Sequence, residues 1–262
     1  MEKVELDGQL IAYRTAGSGP PLVLLHGGLV DSRAWLREVD AFSDEFQVVA
    51  WDAPGCGQSS DPRPDVTIDD YADSVAALIE ALGLGPAHIL GISFGGGLTL
   101  AVYKRHSRLV RSMILVSAYA GWAGSLPTEE VEQRRQRAKR NARRPINEWV
   151  DEFLATLFDE TTSRHLVEET RSIMLDTRPE GMLPMLNAFA DADLTDVLDK
   201  VTVPTLLLYG DKDQRSPRPV AESLSSSIPK SRLVFVDTAG HCVNVEAPEV
   251  LDNEVRAFLH QV

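Results

Sequence analysis

A chain of 262 residues is long enough for one large α/β domain, or for one domain with an insertion. Its 44% hydrophobic and 25% charged residues are ordinary for a globular protein, and a net charge of −13 argues against a nucleic-acid partner. No apolar run approaches the roughly 18 residues that span a bilayer, Met1-Glu2-Lys3-Val4-Glu5 lacks a signal-peptide core, and Cys56 and Cys242 form neither a disulfide framework nor a metal-ligand spacing. A cytoplasmic, reduced protein is expected.

Lys3–Leu6 and Gln9–Thr15 read as a hairpin around Asp7-Gly8. Pro21–Leu25 is wholly apolar, as a strand buried on both faces is, and His26-Gly27-Gly28 follows it directly. Trp35–Phe42 reads as a helix capped by Asp31 or Ser32. Gln47–Trp51 is a further strand, running into the turn-forming stretch Asp52-Ala53-Pro54-Gly55-Cys56-Gly57-Gln58-Ser59. Thr67 caps a helix whose apolar residues Ile68, Tyr71, Val75, Leu78, Ile79 and Leu82 recur at helical spacing, with Gly83 as its stop.

The strand Ala87–Ile92 then meets Gly91-Ile92-Ser93-Phe94-Gly95, and a helical pattern from Leu98 to His106 follows at once. Gly-x-Ser-x-Gly alone arises by chance in roughly one chain in ten of this length. The strand before it and the helix after it supply the context: a sharp turn that lifts a serine hydroxyl above the sheet edge. Val110–Val116 is the next strand. The rhythm breaks between about Trp122 and Asp196, where only helices are read, over Thr128–Arg144, Ile146–Phe158, Ser163–Leu175 and Glu180–Ala190, with Pro145 and Pro179 as separators. Alternation resumes with Thr205–Gly210, Pro219–Ser227, Arg232–Val236 and Pro248–Leu259. The fold class expected is α/β: a mostly parallel sheet, helices on both faces, and an inserted helical cap. Core segments 1–119 and 197–262 would flank a cap at 120–196.

A serine hydroxyl needs a base in hydrogen-bond reach, and the base needs a partner to hold its tautomer. His241 follows a strand, in Asp237-Thr238-Ala239-Gly240-His241, and Asp213 follows another, in Gly210-Asp211-Lys212-Asp213-Gln214-Arg215-Ser216-Pro217. Loops after parallel strands gather at the carboxyl edge, where the serine turn also lies. Asp211, in the same loop, stands as the alternative acid. The order Ser93, Asp213, His241 is that of an α/β-hydrolase triad.

With these motifs and His26-Gly27-Gly28, the chain resembles the α/β-hydrolase superfamily over essentially its whole length. It is similar above all to small capped esterases, enol-lactone hydrolases and carbon–carbon hydrolases. The resemblance implies Asp213 as the acid, and an oxyanion hole made by the backbone N–H groups of Gly28 and Phe94. It implies a serine hydrolase of a small carboxylic ester or lactone, working through an acyl-enzyme. Ile92 departs from the histidine often found before the serine, which bears on the pocket wall. That chemistry requires no metal and no organic cofactor. The expected partner is a small-molecule substrate, with no nucleic acid and no membrane, for a monomer or homodimer. Carbon–carbon hydrolysis and cofactor-free perhydrolysis stay open on the same scaffold, as does a ligand-binding sensor or regulator.

Other residues carry weaker expectations. Trp35, Trp122, Trp149 and Phe153 are candidate pocket residues, each equally readable as core. His26 and Asp52 read as supports of their own loops. His88, His106, His165 and His260 read as packing or surface. The run Arg134, Arg135, Arg137, Lys139, Arg140, Arg143, Arg144 reads as a solvated helix face, with a substrate-steering rim as the alternative.

Overall fold

A computed structural model describes residues 1–262. The hairpin strands are β1 (Glu2–Leu6) and β2 (Gln9–Ala16), followed by β3 (Pro21–Leu25). A 3-10 turn over Ser32–Trp35, capped by the Asp31 carboxylate on Arg33 N–H, leads into α1 (Leu36–Phe42) and β4 (Gln47–Trp51). Helix α2 (Ile68–Ala81) opens with a complete capping box: Thr67 accepts from Asp70 N–H and the Asp70 carboxylate accepts from Thr67 N–H, a device worth about 1 kcal/mol. Then come β5 (Ala87–Ile92), α3 (Phe94–His106) and β6 (Val110–Val116).

Between β6 and the next strand lie α4 (Thr128–Asn141), a 3-10 turn at Ile146–Glu148, α5 (Val150–Leu154), α6 (Arg164–Met174), α7 (Pro179–Asp191) and α8 (Thr195–Leu198). The chain closes with β7 (Thr205–Gly210), α9 (Arg218–Ser227), β8 (Ser231–Val236), α10 (Val243–Glu246) and α11 (Pro248–Leu259). No helix is long and apolar enough to cross a membrane.

The sheet order is β1-β2-β4-β3-β5-β6-β7-β8, antiparallel only where β2 meets β1 and β4. The chain leaves β3 to one side for β4 and returns on the other side for β5. That reversal opens a crevice at the carboxyl ends of β3 and β5. Leu25 lies in register with Gly91, so the loop after β3 begins beside the serine turn.

Alternate strand residues feed opposite layers. Val23, Leu25 and Ile89 pack under α2 and α3, whereas Leu22, Leu24 and Leu90 pack under α1 and α11. A third, smaller cluster joins Leu29 to Trp149, Val150, Leu154, Leu157, Met174 and Met182, which seats the inserted helices on the loop after β3.

Differences from the sequence expectations are local. Helix α3 starts at Phe94 rather than Leu98, because the turn feeds the helix without a spacer. The expected helix over 146–158 is a 3-10 turn followed by the five-residue α5. Pro179 lies at the boundary between α6 and α7, as the first residue of α7, where a missing N–H costs nothing.

Candidate active site

Strand β5 is buried along its whole length and delivers Ser93 to the crevice. Ser93 has φ 54° and ψ −111°, a conformation that is strained for any residue with a side chain. The surrounding geometry enforces it. A Cβ on Gly91 would lie 2.1 Å from the Gly95 carbonyl oxygen, and one on Gly95 would lie 2.1 Å from that of Leu25. Both motif glycines are therefore required by close backbone passage. Ser93 N–H donates to Val116 O at 2.9 Å, and the side chain makes no cap bond to its own helix. The hydroxyl is left to the cavity.

Asp213 lies past β7 and is 6% exposed; His241 lies past β8 and is 3% exposed. His241 Nδ1 and Asp213 Oδ2 are 2.8 Å apart, and Asp213 Oδ1 accepts from Arg215 N–H at 2.8 Å and Ser216 N–H at 2.9 Å. Burial pushes the Asp213 carboxyl up, but His241 and these backbone donors outweigh it, so the group stays below the usual carboxylate range. An ionised acceptor on Nδ1 assigns the proton there and leaves Nε2 of the neutral ring with a free lone pair. Asp211 is exposed, and it is Asp213 that meets the imidazole. The Asp213 loop is tied to the end of β6, where Ser216 Oγ and Tyr209 Oη both donate to Ala118 O. The His241 loop is tied to the inserted helices by His241 N–H donating to Leu157 O at 2.8 Å.

The loop after β3 is held from both sides. His26 is fully buried; its Nε2 accepts from Ala53 N–H at 3.0 Å, and its Nδ1 lies 2.7 Å from Gly27 O. Burial lowers its pKa, which keeps the ring neutral and lets one nitrogen accept while the other donates. Asp52 ties its own turn through Gln58 N–H at 2.8 Å and reaches across to Ser32 N–H at 2.9 Å. Beyond Gly28, Leu29 has φ 66°, a left-handed conformation costly for a leucine, and the Thr177 hydroxyl donates to its carbonyl at 3.0 Å.

Ser93, His241, Gly28 and Phe94 all line one cavity of about 810 Å³. Of the four candidate aromatic residues, Trp122 and Phe153 line it too. Trp35 does not: it is fully buried beneath the sheet with Leu22 and Leu24. Trp149 lines only a small recess adjoining that cavity, beside Met182 and Leu186. One lining residue, Arg215, was not singled out by sequence reasoning. Its place two residues past Asp213, on a loop aimed at the same edge, was the available signal.

The basic run divides. Arg137, Lys139, Arg140, Arg143 and Arg144 are exposed, and Arg135 pairs with Glu132 and Asp191. Arg134, however, turns inward and lies over the rings of Tyr119 and Trp122. The thiols of Cys56 and Cys242 are unpaired, and burial pushes both up, so neither is a thiolate nucleophile near neutral pH. His88 is buried on Ser112, while His106, His165 and His260 each face a carboxylate. No group of three or more His, Cys, Asp or Glu side chains is placed to hold a metal ion.

Known proteins are similar to this chain in sequence and in structure. The (E)-2-((N-methylformamido)methylene)succinate hydrolase of Acinetobacter baylyi is 26% identical over 253 residues, covering 94% of this chain and 93% of its own. A carboxylesterase of Bacillus subtilis is 25% identical, covering 92% of this chain and 80% of its own. The solved structure of a thermophilic esterase from Thermogutta terrifontis, determined with malate bound, superposes with a TM-score of 0.93 at 29% identity, covering 100% of this chain and 99% of that one. The family model for the alpha/beta hydrolase fold matches residues 20–248, so by sequence as well as by architecture this chain belongs to the α/β-hydrolase family.

Proposed function

We propose that the protein is a serine hydrolase of small carboxylic esters or lactones, with Ser93 as nucleophile, His241 as base, and Asp213 as the acid that orients it. The observation that carries this reading is the 2.8 Å His241–Asp213 contact in the wall of the cavity onto which Ser93 opens. In the reaction, His241 Nε2 takes the Ser93 proton as Oγ attacks the acyl carbon. The oxyanion points at the N–H groups of Gly28 and Phe94. His241 returns the proton to the leaving oxygen, and water activated by the same nitrogen then releases the acid. Asp213 stays ionised throughout and stabilises the imidazolium. Each oxyanion donor contributes roughly 3–4 kcal/mol to the transition state.

Residues 120–196 act as a cap that closes the cavity over core segments 1–119 and 197–262. A small acyl group is in keeping with the cavity, with the malate bound in the Thermogutta esterase, and with the succinate named for the Acinetobacter hydrolase.

The test is labelling with a fluorophosphonate and mapping of the adduct by mass spectrometry. An adduct on Ser93 that disappears in His241→Ala is expected. Ser93→Ala should lower kcat on the best substrate from a panel of esters, enol-lactones and dienoates by on the order of 10⁴ or more. Turnover by that variant near the wild-type rate defeats the reading.

A further inference from the structure

Three arginines line the cavity, and two are spent. Arg33 pairs with Asp31 and Asp176, and Arg37 with Glu38, Glu249 and Asp252. Arg215 has no carboxylate partner. Its guanidinium lies 4.8 Å above the Phe153 ring centroid and donates to Thr156 Oγ1 at 3.0 Å, leaving most of its N–H groups unused. Two acids close to His241 are engaged elsewhere. Asp213 is committed to His241, and Glu246 accepts from the N–H groups of Asp159, Gly240 and Cys242 and from Thr162 Oγ1. The other charges near Arg215, on Arg134 and Arg137, share its sign.

The position is built. Arg215 N–H is fixed by Asp213, and its carbonyl accepts from both Tyr119 Oη and the Arg134 guanidinium. The backbone that carries the cation is thus locked to the acid loop itself. The cavity that Arg215 shares with Ser93 is also lined by the apolar side chains of Ile92, Leu157, Leu186 and Phe189. A half-buried cation without a counter-charge is partly desolvated, and a carboxylate from the ligand would pair with it through charge-assisted, geometrically matched bonds.

We propose that Arg215 selects acyl substrates bearing a second, free carboxylate, such as half-esters of short dicarboxylic acids or lactones with a carboxylate tail. The apolar wall takes the methylenes, and the guanidinium takes the distal anion. This rests on the reading of Ser93 as acyl acceptor.

The experiment compares isosteric pairs: monomethyl succinate with methyl butyrate, monomethyl glutarate with methyl pentanoate, and monomethyl adipate with methyl hexanoate, followed by methanol release. The wild type is expected to favour the charged member at one chain length. Arg215→Met should lower the charged-to-neutral ratio of kcat/KM at that length by roughly 10- to 100-fold, with part recovered in Arg215→Lys. Preference for the neutral ester at every length, or an unchanged ratio in Arg215→Met, overturns the proposal. If neither class turns over, the rate of fluorophosphonate labelling of Ser93 decides. The free dicarboxylates should slow it in the wild type and not in Arg215→Met; equal labelling in both overturns the proposal. Ser93→Ala separates the two claims: turnover in that variant sinks the acyl-enzyme reading, whereas a null result for Arg215 with Ser93→Ala inactive sinks only the carboxylate site.

Discussion

Two side-chain positions carry strain in the lining of the cavity. Ser93 and Leu29 both hold positive φ, at a cost of order 1–3 kcal/mol each, and each is fixed by neighbours rather than by its own preference. For Leu29 the restraint is the Thr177 hydroxyl, donated from the segment between α6 and α7. Removing it should let the backbone after Gly28 relax and misalign the Gly28 N–H, one of the two proposed oxyanion donors. Thr177→Val is expected to lower kcat by roughly 10-fold or more with little change in KM, because the donor acts on the transition state. Thr177→Ser, which keeps the hydroxyl, should restore most of the rate. Equal losses in both variants would show a packing role instead. The residue scale also shows why an arginine escaped notice: Arg215 gains its meaning from Phe153, Thr156 and Arg134, all distant in sequence.

Elements meet in two places that matter. The first is the docking of α7 on the turn after β4. A Cβ on Gly181 would lie 2.0 Å from Gly55 O, so backbone packs on backbone there, and Arg178 donates to the carbonyls of Gly57 and Ser59. The second is the seam between α1 and α11. Glu38 is 1% exposed, its carboxyl is pushed up to about 8 by burial and by the nearby Asp252, and its contact with Arg37 is a long 3.8 Å. Arg37 lies closer to Asp252, at 2.9 Å, so it does little to ionise Glu38. Between the ordinary value of 4.5 and about 8, the folded protein holds a proton that the unfolded chain has released. Unfolding therefore releases a proton in that window, and stability falls as pH rises through it, levelling off above the folded value. Relative to Glu38→Gln, the wild type should lose on the order of 2–5 kcal/mol between about pH 5 and pH 9 in denaturant melts. Parallel pH profiles would refute the assignment.

At the scale of the whole molecule, a net charge of −13 sits on a surface laced with exposed pairs such as Arg63–Asp65 and Arg108–Glu80. Such pairs contribute about 0–1 kcal/mol each and weaken with salt, whereas global repulsion acts against the folded state and is also screened. The excess of one sign should win. Raising salt from about 0.01 to 0.1 M, which shortens the Debye length from roughly 30 to 10 Å, is expected to raise Tm by about 2–4 °C. A fall in Tm would put the pair network ahead of the net charge.

The strand–turn–helix around Ser93, the apolar strands Pro21–Leu25 and Thr205–Gly210, and the loops bearing Asp213 and His241 were legible in the chain. Each rests on local rules: period, turn chemistry and the edge at which parallel strands end. What the fold alone decided was which faces meet. Trp35 and Trp149 carry the same side chain as Trp122, yet only Trp122 reaches the main cavity, because a residue's facing depends on partners far along the chain. The same holds for Arg134, read as one member of a solvated run and found turned over Tyr119. Periodicity reports that a side chain has a face; only packing reports what lies opposite.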